Sequence, residues 1–162
     1  MAKKIDNTEE KIHAVEEALS KSEKFIEKNQ KILTIVIGSA VVVVLGIFAF
    51  QKLYIAPREK AAQGQIFTAQ RYFEQDSLNK ALNGDGNSLG FLDIIDEYSM
   101  TKASNLAKYY TGIIYLKQGK FDDAITYLKK FDSDDEFVGS MATGGIGDAY
   151  VELNKLEDGA DY

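Results

Sequence analysis

The sequence predicts an all-α protein in three parts: a charged N-terminal helix, one membrane-length helix, and a solenoid of helical hairpins. Three observations carry this. Residues 32–50, "ILTIVIGSAVVVVLGIFAF", hold no charged side chain. The stretch before them has helical character with no Gly or Pro between residues 7 and 31, and the stretch after them resembles itself when shifted by 35 residues.

Composition narrows the function classes first. The 162 residues carry 19 Lys+Arg against 25 Asp+Glu, a formal net charge of −6, with no Cys, no Trp and one Pro. Such a chain has room for one modest domain and an appendage. Residues 1–31 balance seven lysines against seven acids, so the excess negative charge lies after the apolar run. No basic field is present to hold nucleic acid. The lack of cysteine excludes disulfides, thiol catalysis and Cys-ligated metal, and is compatible with either redox compartment.

The first element reads as a helix over 7–31, opened by Asn7 with Glu10 three residues on as a capping box. Ile5, Ile12, Leu19, Ile26 and Leu33 recur every seven residues. Their companions Thr8, Val15, Ser22 and Asn29 are mostly polar, too thin a seam for a coiled coil. A solvated charged helix is expected over 1–31, with His13 at its surface. Its balanced charge gives little attraction to anionic lipid.

The second element is the apolar run, read with its flank as a transmembrane helix over 32–55. Thirteen of the nineteen residues 32–50 are Ile, Val, Leu or Phe, and together they favour insertion by something on the order of 5 kcal/mol. Nineteen helical residues reach about 28 Å, close to the hydrocarbon thickness. A buried core helix would not be apolar on every face, and residues 50–52 offer no small-x-small cleavage pattern. Lys31 and Lys52 bracket the run and Tyr54 stands where an interfacial aromatic belongs. Four lysines in the fifteen residues before the span, against three basic residues in the fifteen after, lean by one towards a cytoplasmic N-terminus. Gly38 and Gly46 lie eight apart with Val42 between, so no GxxxG face forms, but Gly38, Ser39, Ala40 and Gly46 offer a small-residue contact for a partner helix.

The third part, 56–162, opens at Pro57, which permits a bend. Helical periodicity then runs from Arg58 to Leu82. "NGDGNSLG" at 83–90 stops it. Asn83, Asp85 and Asn87 alternate like early calcium-loop ligands, but the twelfth position is Ile94 where a bidentate Glu is needed, so the stretch reads as a loop.

A shift of 35 residues lays "GIIYLKQGKFDDAITY" on "GDAYVELNKLEDGADY". Gly112 falls on Gly147, Tyr115 on Tyr150, Lys120 on Lys155, Phe121 on Leu156, Asp123 on Asp158 and Tyr127 on Tyr162. A fainter copy, Ala69, Tyr72 and Ala81, keeps the spacing of Gly112, Tyr115 and Ala124. This period and the pattern Gly112, Tyr115, Ala124, Leu128 resemble the tetratricopeptide repeat. Small residues let the two helices of a hairpin close, and the aromatic and Leu fill the space beside them. Departures are visible: Gly159 replaces an Ala, Glu136 a Pro, and Gly144, Gly145 and Gly147 weaken the helix that carries them. The last hairpin begins as the sequence ends, so a longer protein, with further repeats or a further domain, is expected.

No nucleophile–base pair, phosphate-cradling loop or metal constellation is present, and "DSDDE" at 132–136 reads as a solvated loop between hairpins. The expectation is a non-enzymatic protein without cofactor. The repeat resemblance implies a partner groove lined by Leu106, Tyr109, Tyr110, Ile113, Leu116, Lys117, Met141, Asp148 and Glu152. Tyr109 and Asp148 stand where a carboxylate clamp has Lys and Asn, so an apolar or basic ligand fits better than an acidic terminus. The other reading is that Tyr109, Ile113 and Leu116 only pack on neighbouring repeats.

One span followed by "REKAAQGQIFTAQRYFEQDSLNKAL" and "GFLDIIDEYSMTKASNLAKYYTGIIYLKQGKFDDAITYLKKF" resembles the bacterial ancillary Sec translocon subunit family, in its Bacteroidota version. The resemblance covers about 30–162 and is most specific over 90–131. It implies an inner-membrane protein with a cytoplasmic N-terminus and a periplasmic repeat domain. It also implies that the span meets the SecYEG channel and that the repeats meet a membrane-anchored, prolyl-isomerase-like chaperone or a nascent secreted chain. The long helix before the span departs from the shortest members and leaves open a further cytosolic contact. The alternative is a repeat scaffold for another cell-envelope secretion or assembly machine.

Overall fold

The computed structural model describes residues 2–133, 135–160 and 162, with side chains at 17, 19–133, 135–160 and 162. Among the described residues every regular element is helical. The chain divides into two compact units, Met1–Ala49 and Phe50–Tyr162.

The first unit is carried by helix α1, Ala2–Phe50. It starts five residues before Asn7, so the capping signal read there does not mark the helix start: Ala2, Lys3, Lys4 and Ile5 are all compatible with helix, and nothing in them breaks it. The side chains of His13 and of the stripe positions Ile5, Thr8, Ile12 and Val15 lie outside those described. From Ile32 onwards the helix is long and apolar enough to cross a membrane, and its most apolar window is 0% buried. The hydroxyls in the run stay satisfied within it, Thr34 donating to the Gln30 carbonyl and Ser39 to that of Val36, both at 2.8 Å. No free donor is thus carried into an apolar medium.

The second unit opens with a π-helical turn, Gln51–Ile55, in which the Ala56 N–H reaches back to the Gln51 carbonyl. Pro57 follows in the first turn of α2, Ala56–Glu74. It has no N–H to give the preceding turn, and the widened spiral takes up that mismatch.

The Arg58–Leu82 helix read from periodicity is in fact two. α2 ends at Glu74 and α3 spans Leu78–Asn83. Between them Asp76 takes φ +55°, and the Ser77 N–H bonds the Tyr72 carbonyl at 2.9 Å. This is a left-handed helix stop that Asp tolerates without glycine.

The same stop recurs twice. α5, Lys102–Lys117, ends at Gly119 (φ +73°) before α6, Phe121–Lys129. α7, Glu136–Glu152, ends at Asn154 (φ +58°) before α8, Leu156–Gly159. The N–H groups of Lys120 and Lys155 bond the carbonyls of Tyr115 and Tyr150, each at 2.9 Å. Tyr72, Tyr115 and Tyr150 therefore hold one place in three equivalent turns. The ring pairs repeat as well, Tyr115 with Tyr127 at 5.5 Å and Tyr150 with Tyr162 at 5.9 Å between centroids.

α4, Phe91–Glu97, follows the loop over 84–90. Asp85 organises that loop: its Oδ1 accepts from the N–H groups of Asn87 and Ser88 at 2.9 and 2.7 Å, and its Oδ2 from the Tyr72 hydroxyl at 2.6 Å. Gly90 is required here, because a Cβ would lie 2.3 Å from the Leu82 carbonyl oxygen.

Two apolar clusters hold the unit. One joins α2, α3, α4 and α5 around Ile66, Leu82, Phe91, Ile94 and Ile114; the other joins α5, α6 and α7 around Tyr109, Leu128, Ala142 and Ile146. α7 stays helical through Gly144, Gly145 and Gly147, against the weakening expected of them. Tertiary packing outweighs their low propensity: a Cβ on Gly145 would stand 3.1 Å from the side chains of both Leu116 and Leu128. Asp135 caps α7, accepting from the N–H groups of Phe137 and Val138, and Asn105 of α5 clamps the preceding loop by giving to and accepting from the Asp132 backbone. Asp134, within the loop read at 132–136, lies outside the described residues.

Candidate partner groove and membrane helix

The close approach of α7 at Gly145 sets the geometry of the predicted groove. A cavity of about 290 Å³ is lined by Leu116 of α5, Phe121 of α6, and Asp148, Val151 and Glu152 of α7. Leu116, Asp148 and Glu152 are thus brought together. Val151 and Phe121 also line this cavity, although they were not read as groove residues. The signal for Val151 was its i+3 spacing from Asp148, which puts both on one helix face.

Other predicted positions lie elsewhere. Tyr109 is only 9% exposed and belongs to the second core cluster, its ring 5.4 Å from Phe131 and its hydroxyl 3.9 Å from the sulfur of exposed Met141. Burial, with a smaller contribution from Tyr110, raises its pKa. Tyr110 stacks on Phe91 at 5.0 Å, meets Phe73 edge-on and accepts a hydrogen bond from Gln70 at 3.3 Å. Tyr109 is a core residue, and Tyr110 is partly buried against the first cluster. Each ring packs against neighbouring aromatic side chains. Leu106 and Ile113 are half-buried against the clusters. Lys117 turns towards α2, with its ammonium 5.1 Å from the Phe73 ring and 3.6 Å from Asp76.

The repeat positions do what small and large residues at such spacings do. Gly112 lies against Leu128, Ala124 is fully buried, and Tyr115 and Tyr150 head the equivalent turns. A second cavity, about 330 Å³, opens between α6 and α7 beside Lys129, Phe131, Thr143 and Tyr162. Lys129 donates to the Tyr150 hydroxyl at 2.8 Å, and hydrogen bonds to Tyr150 and then Tyr162 raise its pKa.

The cavity at Asp148 and Glu152 presents two carboxylates beside apolar Leu116, Phe121 and Val151. It can hold a basic side chain and its apolar neighbour. Among the described residues no group of three or more His, Cys, Asp or Glu side chains is placed to hold a metal ion. In α1 nothing stands within 4 Å of a Cβ built on Gly38 or Gly46, so the patch with Ser39 and Ala40 is open to a neighbour.

Among the described residues the fold is all-helical, with one membrane-length helix and a hairpin unit that holds an acidic-rimmed cavity. Comparison with known families, characterised proteins and solved structures finds no match to this chain.

Proposed function

We propose that this protein is a single-span, tetratricopeptide-type adaptor of a bacterial inner membrane, working beside the Sec channel. Its N-terminus is cytoplasmic and its hairpin unit periplasmic. The groove receives a basic, apolar segment of a prolyl-isomerase-like chaperone or of an emerging chain, and no bond is made or broken. The observation that carries the repeat reading is the threefold turn headed by Tyr72, Tyr115 and Tyr150, which matches the spacing of small and aromatic residues in the sequence. The uncovered apolar window of α1 supports the anchor, and the resemblance over 90–131 supports the Sec partner. Anchoring would raise the effective concentration of groove and partner at one membrane face without any catalytic group.

Exchange of Ile32–Phe50 for an unrelated span tests the Sec part. Loss of channel subunits from affinity-purified complexes is expected. Unchanged recovery would make the span a replaceable anchor and favour a scaffold of another envelope machine.

A further inference from the structure

The joint between α5 and α7 holds a donor with a weak partner. Tyr109 of α5 is 9% exposed and packs in the second apolar cluster. Burial raises its pKa, so the phenol stays a donor at neutral pH. Among the described residues its hydroxyl has one hydrogen-bond partner, the sulfur of Met141 on α7 at 3.9 Å. A thioether is a weak acceptor, and a largely buried hydroxyl given only that forgoes part of what an ordinary hydrogen bond contributes.

Met141 can become a better acceptor. It is 48% exposed and belongs to neither apolar cluster, so its side chain is open to a small reagent in solution. Oxidation of methionine disrupts a protein when it places a polar sulfoxide in packed apolar surroundings, and at Met141 that cost is small. An oxygen on the sulfur, turned towards Tyr109, fills much of the 3.9 Å gap. It then comes within ordinary O–H···O range, about 2.5–3.0 Å. Met100, the other methionine among the described residues, offers the contrast: it is 75% exposed and its sulfur takes part in no hydrogen bond.

We infer that Met141 is a reversible oxidation site, at which a hydroperoxide converts the thioether to the sulfoxide and the new oxygen accepts the Tyr109 hydroxyl, tying α7 to α5 more firmly than the thioether does. The sulfur lone pair attacks one peroxide oxygen and the O–O bond breaks. With hydrogen peroxide the second oxygen leaves as water, and sulfur loses the two electrons that the peroxide gains. Enzymatic reduction of the sulfoxide restores the thioether. Leu116 of α5 and Asp148 of α7 line one cavity, so the joint that is tightened belongs to the helix pair that carries the groove.

The test applies hydrogen peroxide to the full chain in detergent, with Met100→Leu so that Met1 and Met141 are the remaining methionines. Peptide mass spectrometry should find one added oxygen on Met141. In urea unfolding the oxidised protein should show an unfolding constant about fivefold lower than the untreated one, from the improved hydrogen bond. Adding Tyr109→Phe should abolish that gain, as a double-mutant comparison isolates the pair. Adding Met141→Leu in its place leaves Met1 alone to oxidise and should show no change. An equal effect with and without the Tyr109 hydroxyl, a loss of stability on oxidation, or Met141 left as a thioether while Met100 of the unsubstituted chain is oxidised overturns the inference. A readout in the folded, unsubstituted protein guards against a variant that folds poorly. The carbon-13 signal of the hydroxyl-bearing ring carbon of Tyr109 should move on oxidation and return after treatment with methionine sulfoxide reductases, while that of Tyr72, bonded to Asp85, stays in place. An unmoved Tyr109 signal contradicts the inference.

Discussion

A Cβ on Gly112 would lie 2.5 Å from Cγ of Leu128 and 3.2 Å from its backbone nitrogen. α5 and α6 therefore close at a distance that only glycine permits. Gly147, its counterpart 35 residues on, has no atom nearer than 3.7 Å to such a Cβ. The two glycines align in sequence and differ in consequence.

Gly112→Ala should destabilise the hairpin unit by about 2 kcal/mol, overpacking outweighing the helix-propensity gain. Gly147→Ala, with space for the methyl, should be neutral or stabilising by up to about 1 kcal/mol. Urea unfolding of the full chain in detergent, followed by circular dichroism, measures both. Equal effects would contradict the packing described.

Met100→Gly should stabilise the same unit by about 1 kcal/mol, because glycine adopts φ +72° without the Cβ clash. A higher urea midpoint with unchanged slope is the expected result. A lower one would mean that the Met100 side chain packs on the unit rather than projecting from it.

Asp85 gives a pH dependence. The Tyr72 hydroxyl, and then the N–H groups of Asn87 and Ser88, lower its pKa from 3.8 to about 2. The folded value lies below the unfolded one, so this stabilisation is complete above the unfolded pKa and is lost as pH falls through the folded pKa. A carbon-13 titration of the Asp85 carboxyl should show a midpoint well below 3.8. Asp85→Asn should remove the acid-side dependence that this carboxylate contributes. A midpoint at the ordinary value would show that the 84–90 loop is not held by this carboxylate.

In the groove, Asp148→Lys with Glu152→Lys should weaken a basic, apolar peptide by about tenfold, or about 1.4 kcal/mol. The loss should shrink as salt is raised. Both side chains are exposed, so stability should be little changed. Fluorescence anisotropy with a labelled peptide reads the change, and undiminished affinity would place the ligand elsewhere.

The sequence made the membrane-length helix and the hairpin period legible because both are patterns of residue type: an uncharged run, and small and aromatic residues at fixed spacings. The break at 75–77 was hidden. Its left-handed residue is Asp76, where the other two turns use Gly119 and Asn154, and no Gly, Pro or Asn stands at 75–77 to mark a stop. The start of α1 was misplaced for the opposite reason, since a capping pair at Asn7 and Glu10 can sit inside a helix that nothing terminates. Tyr109 and Tyr110 entered the groove reading through the repeat resemblance, which carries no information on their ring contacts with Phe131 and Phe91. Met100 carries no sequence signal, because what sets it apart is a backbone angle.

The central claim, an adaptor that meets the Sec channel through its span and a client through its groove, is tested most directly by photo-crosslinking. A photoreactive residue at Ile37, in the span, and another at Val151, 55% exposed on the groove, are irradiated in native membranes and the covalent partners identified by mass spectrometry. The account predicts a Sec channel subunit at 37 and a chaperone or nascent secreted chain at 151. Lipid alone at 37, with a component of a different secretion or assembly machine at 151, would contradict it.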